Sequence, residues 1–351
     1  QSQLSVFSDS GRHLRSFFNR AEVAISSLSY CHHNLLILDK VHQQLHLYHL
    51  ADTLETVAAL AEQPAIAAKA KLGTAAARHP GFLEAGGPKS GGIHDLCLLY
   101  VGGEGSKANH RYDLAKLLPL VGYVDDRQQI RDCFMDGFLM LAQYSPLLNG
   151  RSFGLDLSGG ASRQEDWVAL FEEYFQPDTN LAALENAAAA VQSALKLNDC
   201  RVKVVLMIPT VNPQAADWDG RGTSLAKPEQ QLEITNWAMR ELLQRWQKAG
   251  FKHLQLAGFY YMTEQGSWDD PVLHAFPKLC RELGLRSFAI PGITSSWLTE
   301  FTRAGFDCVS LQPSHAFWHK PLTPRRYLLK QAGRIAREYG MGVEVELPYD
   351  V

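Results

Sequence analysis

The sequence lacks the features typical of membrane-spanning, nucleic-acid-binding and disulfide-rich proteins. No run of about eighteen apolar residues occurs, so the sequence offers no candidate transmembrane helix. The formal net charge is only −3, and because phosphate binding needs a basic surface, we expect no nucleic-acid partner. Only six cysteines occur, with no C-x-x-C spacing and mostly within apolar runs, which indicates buried free thiols.

Motifs of several enzyme classes are also missing. No G-x-G-x-x-G motif or P-loop follows any predicted strand, which argues against a nucleotide-binding sheet. The absence of a G-x-S-x-G motif argues against the common α/β serine hydrolases. Thirteen histidines are scattered without H-E-x-x-H spacing, so we predict neither a metal site nor a cofactor. A metal-dependent deacetylase or lyase would need His and Asp clustered at strand ends, which the sequence does not provide.

A repeated α/β pattern runs from about residue 96 to the end of the chain. An amphipathic helix, a glycine and a short apolar strand recur in KAGFKHLQLAGF, ELGLRSFAIPG, RAGFDCVSLQPS and EYGMGVEVELP. Each glycine can end its helix in the left-handed conformation at little steric cost. Near-continuous apolar strands such as VKVVLMI are typical of a parallel sheet that is covered on both faces.

This pattern predicts an α/β fold, a TIM-like (β/α) barrel over residues 96–351. The predicted strands are Leu96–Val101, Gly137–Leu141, Val202–Ile208, His253–Phe259, Arg286–Ile290, Asp307–Leu311 and Gly342–Leu347. The predicted helices are Arg163–Tyr174, Leu181–Leu197, Glu229–Lys248, Pro271–Leu283, Ser296–Ala304 and Arg325–Tyr339. Seven strands are one fewer than a closed eightfold barrel needs, so the barrel is predicted to be incomplete or atypically closed. Residues 1–60 predict a small appendage of β-hairpins, and residues 61–95 a linker or helical segment.

The loops after the strands direct attention to Glu264. In parallel α/β folds these loops build the functional site, and here they are rich in carboxylates, amides and aromatic rings, as a sugar site requires. Glu264 follows the fourth predicted strand close to Tyr260, Tyr261 and Trp268. Aromatic neighbours would desolvate the carboxyl group and raise its pKa, as a general acid requires. The alternative is an ordinary solvated loop glutamate.

The last predicted strand carries two glutamates, Glu344 and Glu346. They alternate with aliphatic residues, so period two places both carboxylates on one face and the aliphatics on the other. The outer face of a barrel packs on helices, and we therefore expect both carboxylates to point inward. The alternative is an internal salt bridge with Lys203 or Arg286. We interpret Glu346, nearer the carboxyl end, as the catalytic residue and Glu344 as a deeper charge that holds the pocket in place.

Further polar and aromatic residues near strand ends are candidates for contacting a substrate. With Glu344 they are Asp136, Asn212, Tyr260, Tyr261, Trp268, Gln312, His315 and Trp318. Asp136 opens the second strand, so a structural role at the opposite end of the barrel is its alternative. The long polar loop 214–227 suits a substrate lid, although Asp217, Asp219 and Arg221 in it can instead pair with each other.

Six segments resemble, in the same order, a family of mostly secreted bacterial proteins known as domain of unknown function forty-eight fifty-five. The segments are DGFLML (136–141), VVLMIPTVNP (204–213), LAGFYYMTEQ (256–265), FAIPGI (288–293), GFDCVSLQPSHAF (305–317) and GMGVEVEL (340–347). The resemblance covers roughly residues 96–351. It implies a glycoside-hydrolase-like barrel with Glu264, Glu344 and Glu346 as the candidate catalytic or binding carboxylates.

These features predict a glycoside hydrolase that cleaves a polysaccharide or oligosaccharide, with Glu264 as acid/base and Glu346 as nucleophile. A carboxyl separation of roughly 5 Å would imply retention, our expectation, whereas roughly 6.5–9.5 Å would imply inversion. The alternative is a non-catalytic glycan-binding or scaffold protein on a degenerate barrel. A sequence that begins at Gln1 without methionine suggests a secreted or periplasmic protein, with the cytoplasm as the alternative location.

Overall fold

The computed structural model describes strands within residues 1–49, together with residues 81–345 except 104–107, 156, 199, 265–269, 296–297, 299 and 316–325. The chain divides into two units, Gln1–Ala77 and Arg78–Val351. The first unit contains β1 (Gln3–Phe7), β2 (His13–Phe18), β3 (Ile25–Cys31), β4 (Asn34–Asp39) and β5 (Gln44–His49). Strands β1 and β2 form one antiparallel pair, and β3, β4 and β5 form an antiparallel sheet. Antiparallel strands predicted for this part of the sequence are therefore present, whereas residues 61–80 of the predicted linker lie outside the described residues.

The second unit is an α/β structure whose elements follow the repeated sequence pattern. Its strands are β6 (Leu96–Tyr100), β7 (Gly102–Gly103), β8 (Asn109–His110), β9 (Gly122–Val124), β10 (Ile130–Cys133), β11 (Gly137–Leu141), β12 (Arg151–Ser152), β13 (Gly160–Ala161), β14 (Val202–Ile208), β15 (Leu254–Tyr261), β16 (Arg286–Ala289), β17 (Cys308–Leu311) and β18 (Gly342–Val343). Its helices are α1 (Leu114–Val121), α2 (Gln164–Tyr174), α3 (Leu181–Leu195), α4 (Pro228–Ala249), α5 (Pro271–Glu282), α6 (Glu300–Arg303) and α7 (Arg326–Tyr339).

Seven of these strands form one parallel sheet in the order β6-β11-β14-β15-β16-β17-β18, so their order across the sheet is the same as their order along the chain. These are the seven predicted strands, and the prediction of a parallel sheet is confirmed. The last strand is shorter than predicted, because β18 ends at Val343. Val345, which period two places on the helix-covered face, is instead 76% exposed.

The sheet curls into a half-barrel, in line with the prediction of an incomplete barrel, and a closed TIM barrel is not present in the described residues. Within the described ranges, no strand connects β6 to β18. A non-helical segment, residues 81–95, instead crosses the amino ends of the strands. The Leu83 N–H donates to the Met341 carbonyl just before β18 (3.0 Å), and the side chain of Ile93 lies against Gly137 at the start of β11. This segment thus links the two edges of the sheet at its amino end.

Helix α1 and the hairpin β9–β10 form an insertion between the first two strands of the sheet, and sequence analysis did not predict it. The helix is only eight residues long and contains Pro119. A proline inside a helix removes one backbone hydrogen bond, which weakens the sequence signal for a helix. The insertion packs on α3, where Val191 lies against Gly122.

A glycine at a close contact in the middle of the sheet provides a test of the fold. Gly258 follows a bulge where the register of β14 and β15 shifts, and a Cβ atom there would lie 2.0 Å from the Arg286 carbonyl oxygen. Because backbone atoms cannot move aside cheaply, we expect Gly258→Ala to lower the free energy of unfolding by about 2–3 kcal/mol. Urea denaturation measures this loss. Gly333→Ala in α7, where an added Cβ meets no atom within 4 Å, is the control and should not destabilise the protein.

Candidate functional site

The interior of the curled sheet holds a buried tyrosine that is close to two glutamates from different strands. Tyr260, the penultimate residue of β15, is 2% exposed. Burial, and then the charges of Glu264 and Glu344, raise the pKa of its hydroxyl well above the ordinary value, and Tyr100 adds to this effect. Glu264 follows β15, Glu344 follows β18 and Tyr100 ends β6. The middle strand and both edge strands therefore contribute to one cluster, which we call the Tyr260 cluster: Tyr100, Tyr260, Glu264 and Glu344.

The curvature of the sheet explains why these residues meet. Strands β6 and β18 are each three strands away from β15. Neighbouring strands are about 4.8 Å apart, so a flat sheet would hold each edge about 14 Å from the centre. Electrostatic coupling of Tyr260 to residues from both edges indicates that curling brings them much closer. The cluster thus depends on the tertiary structure and not on any local sequence motif.

The backbone next to both glutamates is held by hydrogen bonds to neighbouring strands. The Glu264 carbonyl accepts a hydrogen bond from the Gly292 N–H beyond β16 (3.0 Å), and the Glu344 N–H donates to the Leu311 carbonyl of β17 (3.0 Å). Thr210, beyond β14, donates its hydroxyl hydrogen to the Met262 carbonyl beyond β15. Both glutamate side chains are half-buried. The backbone is therefore fixed at both glutamates, and each residue is partly accessible to solvent.

Tyr261 points to the other side of the sheet, away from the Tyr260 cluster. Its ring packs on Phe276 of α5, with the ring centroids 5.1 Å apart, and its hydroxyl donates to Asp270 Oδ2 (2.6 Å). Asp270 also caps α5 by accepting hydrogen bonds from Val272 and Leu273 N–H groups. Successive residues of a strand face opposite sides, so Tyr260 and Tyr261 cannot both face the interior. The structure gives Tyr261 a packing role in place of the predicted substrate contact.

Asp136 lies at the amino edge of the sheet, at the opposite end from the strand ends that carry Glu264 and Glu344. Its Oδ1 accepts hydrogen bonds from the His94 and Asp95 N–H groups, and its Oδ2 contacts His94 Nδ1 (2.9 Å) and Lys203 Nζ (3.6 Å). Burial alone would raise its pKa, but these hydrogen bonds and the Lys203 charge outweigh burial and lower the pKa. Asp136 thus holds the segment before β6 against β11 and β14. This is the structural role that the sequence analysis gave as the alternative to substrate contact.

The other predicted contact residues that the structure describes lie at the carboxyl ends of strands. Gln312 directly follows β17, is buried, and exchanges backbone hydrogen bonds with Pro291 and Ile293. Asn212 lies beyond β14, where its Oδ1 accepts from the Gln214 N–H (2.9 Å), and His315 lies beyond β17 and is half-buried. Glu346, Trp268 and Trp318 lie outside the described residues, so their roles stay predictions.

The loop 214–227, a predicted lid, is fixed to the body of the protein by Trp218. This side chain is 4% exposed and packs edge-to-face on Trp167 of α2, with ring centroids 4.8 Å apart. Asp219 accepts hydrogen bonds from Arg221 N–H and Thr223 within the loop, and Asp217 pairs with Arg163 (3.5 Å). Asp219 therefore stabilises a turn within the loop, whereas Asp217 joins the loop to Arg163 rather than to Arg221.

Sequence analysis overlooked Tyr100 as a site residue. It is the last residue of β6, so the rule that selected the other strand ends applies to it equally. Among the residues with described positions, no three His, Cys, Asp or Glu side chains are grouped to hold a metal ion. None of the described helices is long and apolar enough to cross a membrane.

Comparison with known proteins identifies one family. A family model described as domain of unknown function (DUF4855) matches residues 95–351, well over half of the chain. No curated protein and no solved structure matches the chain.

Proposed function

Because the chain belongs to the DUF4855 family, whose description assigns no activity, we propose from the site itself that this protein is a glycoside hydrolase. The observation that carries the proposal is the Tyr260 cluster, in which Glu264 and Glu344 approach one buried tyrosine from two different strands. Two carboxyl groups on opposite sides of a scissile bond are the minimum that glycosidic hydrolysis requires. The substrate we propose is a polysaccharide or oligosaccharide.

We assign the acid/base role to Glu264 and the nucleophile role to Glu346. Glu264 is half-buried just beyond the carboxyl end of β15 and beside a tyrosine, which is a suitable position for the group that donates a proton to the leaving oxygen. The charge of Glu344 acts on buried Tyr260, and Glu346 follows it by two residues in the sequence, so we propose that Glu346 supplies the second carboxylate. Tyr260 stays protonated at neutral pH, so its hydroxyl can donate a hydrogen bond to an ionised carboxylate and stabilise that form.

The proposed reaction has two steps. In the first, Glu264 protonates the glycosidic oxygen while the Glu346 carboxylate attacks the anomeric carbon, which releases the leaving-group alcohol and forms a glycosyl ester. In the second, the Glu264 carboxylate takes a proton from water as the water oxygen attacks the same carbon and breaks the ester. Two inversions give net retention of configuration and restore both carboxyl groups. A substrate of this kind agrees with the proposed location, secreted or periplasmic, because polysaccharides lie largely outside the cytoplasm.

The experiment that tests the function is product analysis by proton NMR. The full chain is incubated with a panel of purified bacterial and plant polysaccharides, and spectra are recorded within minutes, before the released sugar mutarotates. We expect a new reducing end that first appears in the same anomeric configuration as the cleaved bond. An inverted first product contradicts the retaining mechanism. Binding of a panel glycan by calorimetry without any new reducing end contradicts hydrolysis and favours the non-catalytic glycan-binding alternative, and the absence of both contradicts a glycan site altogether.

A further inference from the structure

Two cysteines meet at the amino edge of the sheet, far from the Tyr260 cluster. Cys133 ends β10 in the insertion between β6 and β11, and Cys200 lies in the loop between α3 and β14. Both are exposed, and both line one crevice together with Asp136 and Arg201. The crevice has a volume of about 30 Å³. Since each water needs roughly 10–15 Å³ of such space, this crevice can hold no organic ligand.

The two thiols differ from the other described cysteines in their surroundings. Cys280 and Cys308 are buried in the core, and burial raises the pKa of both thiols far enough to keep them inert. Cys133 and Cys200 line the same narrow crevice, where each thiol lies close enough to interact with the other. The prediction of mostly buried thiols holds for Cys280 and Cys308, whereas Cys97 is half-buried and Cys133 and Cys200 are exposed. The contact joins residues that are far apart in the chain, so only the folded protein brings them together.

The elements that carry the two cysteines are held firmly at this position. Phe134 and Met135, next to Cys133, donate backbone hydrogen bonds to Val121 and Leu120 of α1 (2.9 and 3.0 Å). The Cys200 carbonyl accepts a hydrogen bond from the Gln192 side chain of α3. Each thiol is therefore presented to the other by structured backbone, which lowers the entropic cost of joining them.

We propose that Cys133 and Cys200 are a redox-active pair that closes to a disulfide by exchange with a disulfide oxidant. One thiol loses its proton and attacks the oxidant, which forms a mixed disulfide and expels one thiolate from the oxidant. The second cysteine thiolate then attacks the mixed disulfide, forms the Cys133–Cys200 bond and expels the other half of the oxidant as thiolate. The protein loses two electrons and two protons, and the oxidant takes up both as two thiols.

The bond joins the insertion to the strand that follows Cys200, and its expected effect is on stability. A disulfide removes conformations from the unfolded chain, and more of them when the closed loop is long. The segment from Cys133 to Cys200 contains β11, β12, β13, α2 and α3, so oxidation constrains a large part of the second unit. Burial, together with the neighbouring Cys200 and Asp132, raises the pKa of the Cys133 thiol, which lowers its thiolate fraction and slows its exchange with an oxidant.

The test treats the reduced full chain with oxidised glutathione and follows three readouts. We expect the number of titratable thiols to fall by two, peptide mapping to find a Cys133–Cys200 cross-link, and Tm to rise by about 5 °C. Cys97→Ser, which changes a half-buried thiol elsewhere, is the control and should leave the cross-link intact. In Cys133→Ser and in Cys200→Ser the remaining partner should stop at the mixed disulfide with glutathione, and Tm should not rise.

Two results would overturn the proposal. One is a wild-type chain in which Cys133 and Cys200 each carry glutathione without a cross-link, because the thiols would then be accessible but unable to reach each other. The other is a chain that keeps all its thiols under oxidation. Neither result bears on hydrolysis, since the pair lies at the opposite edge of the sheet from Glu264 and Glu344.

Discussion

Glu264→Gln is expected to lower kcat/KM for an unactivated oligosaccharide by about 10³–10⁴-fold, because the leaving alkoxide then departs without a proton. The melting temperature should stay nearly unchanged, since glutamine keeps the volume of the half-buried side chain and loses only the ionisable group. The measurement is steady-state hydrolysis of the glycan identified by the polysaccharide panel, with Tm from thermal unfolding. Glu282→Gln on the exposed end of α5 is the matched control and should retain wild-type turnover.

A change of leaving group separates the acid role from a binding role. A 2,4-dinitrophenyl glycoside of the same sugar releases a phenolate that needs no protonation, so Glu264→Gln should slow its first step by less than about tenfold. Glu346→Gln should abolish turnover of both substrates, because the nucleophile is required whatever the leaving group. Azide, a small anion that can enter the space left in Glu346→Gly, should then restore turnover and give a glycosyl azide. Wild-type rates in both glutamine variants contradict the assignment.

Asp166→Ala is expected to lower the free energy of unfolding by about 3–5 kcal/mol, because it leaves polar partners of a buried carboxylate without their acceptor. Asp166 is 0% exposed. Its carboxylate accepts hydrogen bonds from Ser145 Oγ (2.6 Å), Asn149 Nδ2 (2.7 Å), Arg151 Nη1 (3.1 Å) and Arg163 N–H (2.8 Å). Urea denaturation measures the loss. Because these partners belong to the loop after β11, at the carboxyl end of the sheet, the variant also tests whether that loop supports turnover.

Glu165→Gln is the matched control for this prediction. Glu165 pairs with the same Arg151 (2.5 Å), but its side chain is 60% exposed. Exposed ion pairs contribute little because solvent screens them, so the control should change stability by less than about 0.5 kcal/mol. Equal losses in the two variants would show that the burial of Asp166 is not what makes its hydrogen bonds important.

The same carboxylate predicts a direction for acid unfolding. Burial alone would raise the pKa of Asp166, but the hydrogen bonds from Ser145, the Arg163 backbone, Asn149 and Arg151 outweigh burial and hold the pKa below its usual range. A lowered folded-state pKa adds stability that is complete above the unfolded pKa, about 3.9, and is lost as pH falls through the folded value. Urea midpoints should therefore differ between wild type and Asp166→Ala at pH 7 and converge as the pH falls below about 3.9.

Part of the candidate site could be found from the sequence. Glu264, Asn212, Gln312 and His315 were selected because they follow apolar strands, and the structure describes all four at the carboxyl ends of strands. Tyr261 does not face the interior, because its orientation depends on where the bulge in β15 shifts the alternation of faces. The position of Asp136 at the amino end of its strand followed from the sequence, whereas its contacts with His94 and Lys203 are seen only in the folded protein.

By itself the sequence determined the elements that depend on local physics. The glycines that end helices, the helical periodicity and the apolar runs predicted the seven strands and most helices to within a few residues. These signals are local, because backbone conformation and one-sided burial depend on residues that are near in the sequence. Only the tertiary structure decided how far the sheet curls, which brings Tyr100, Tyr260, Glu264 and Glu344 together from three strands. The contact of Cys133 with Cys200 likewise depends on packing between elements distant in the chain. Such contacts leave no periodic pattern, since the free energy that forms them comes from the burial of whole faces rather than from any short segment.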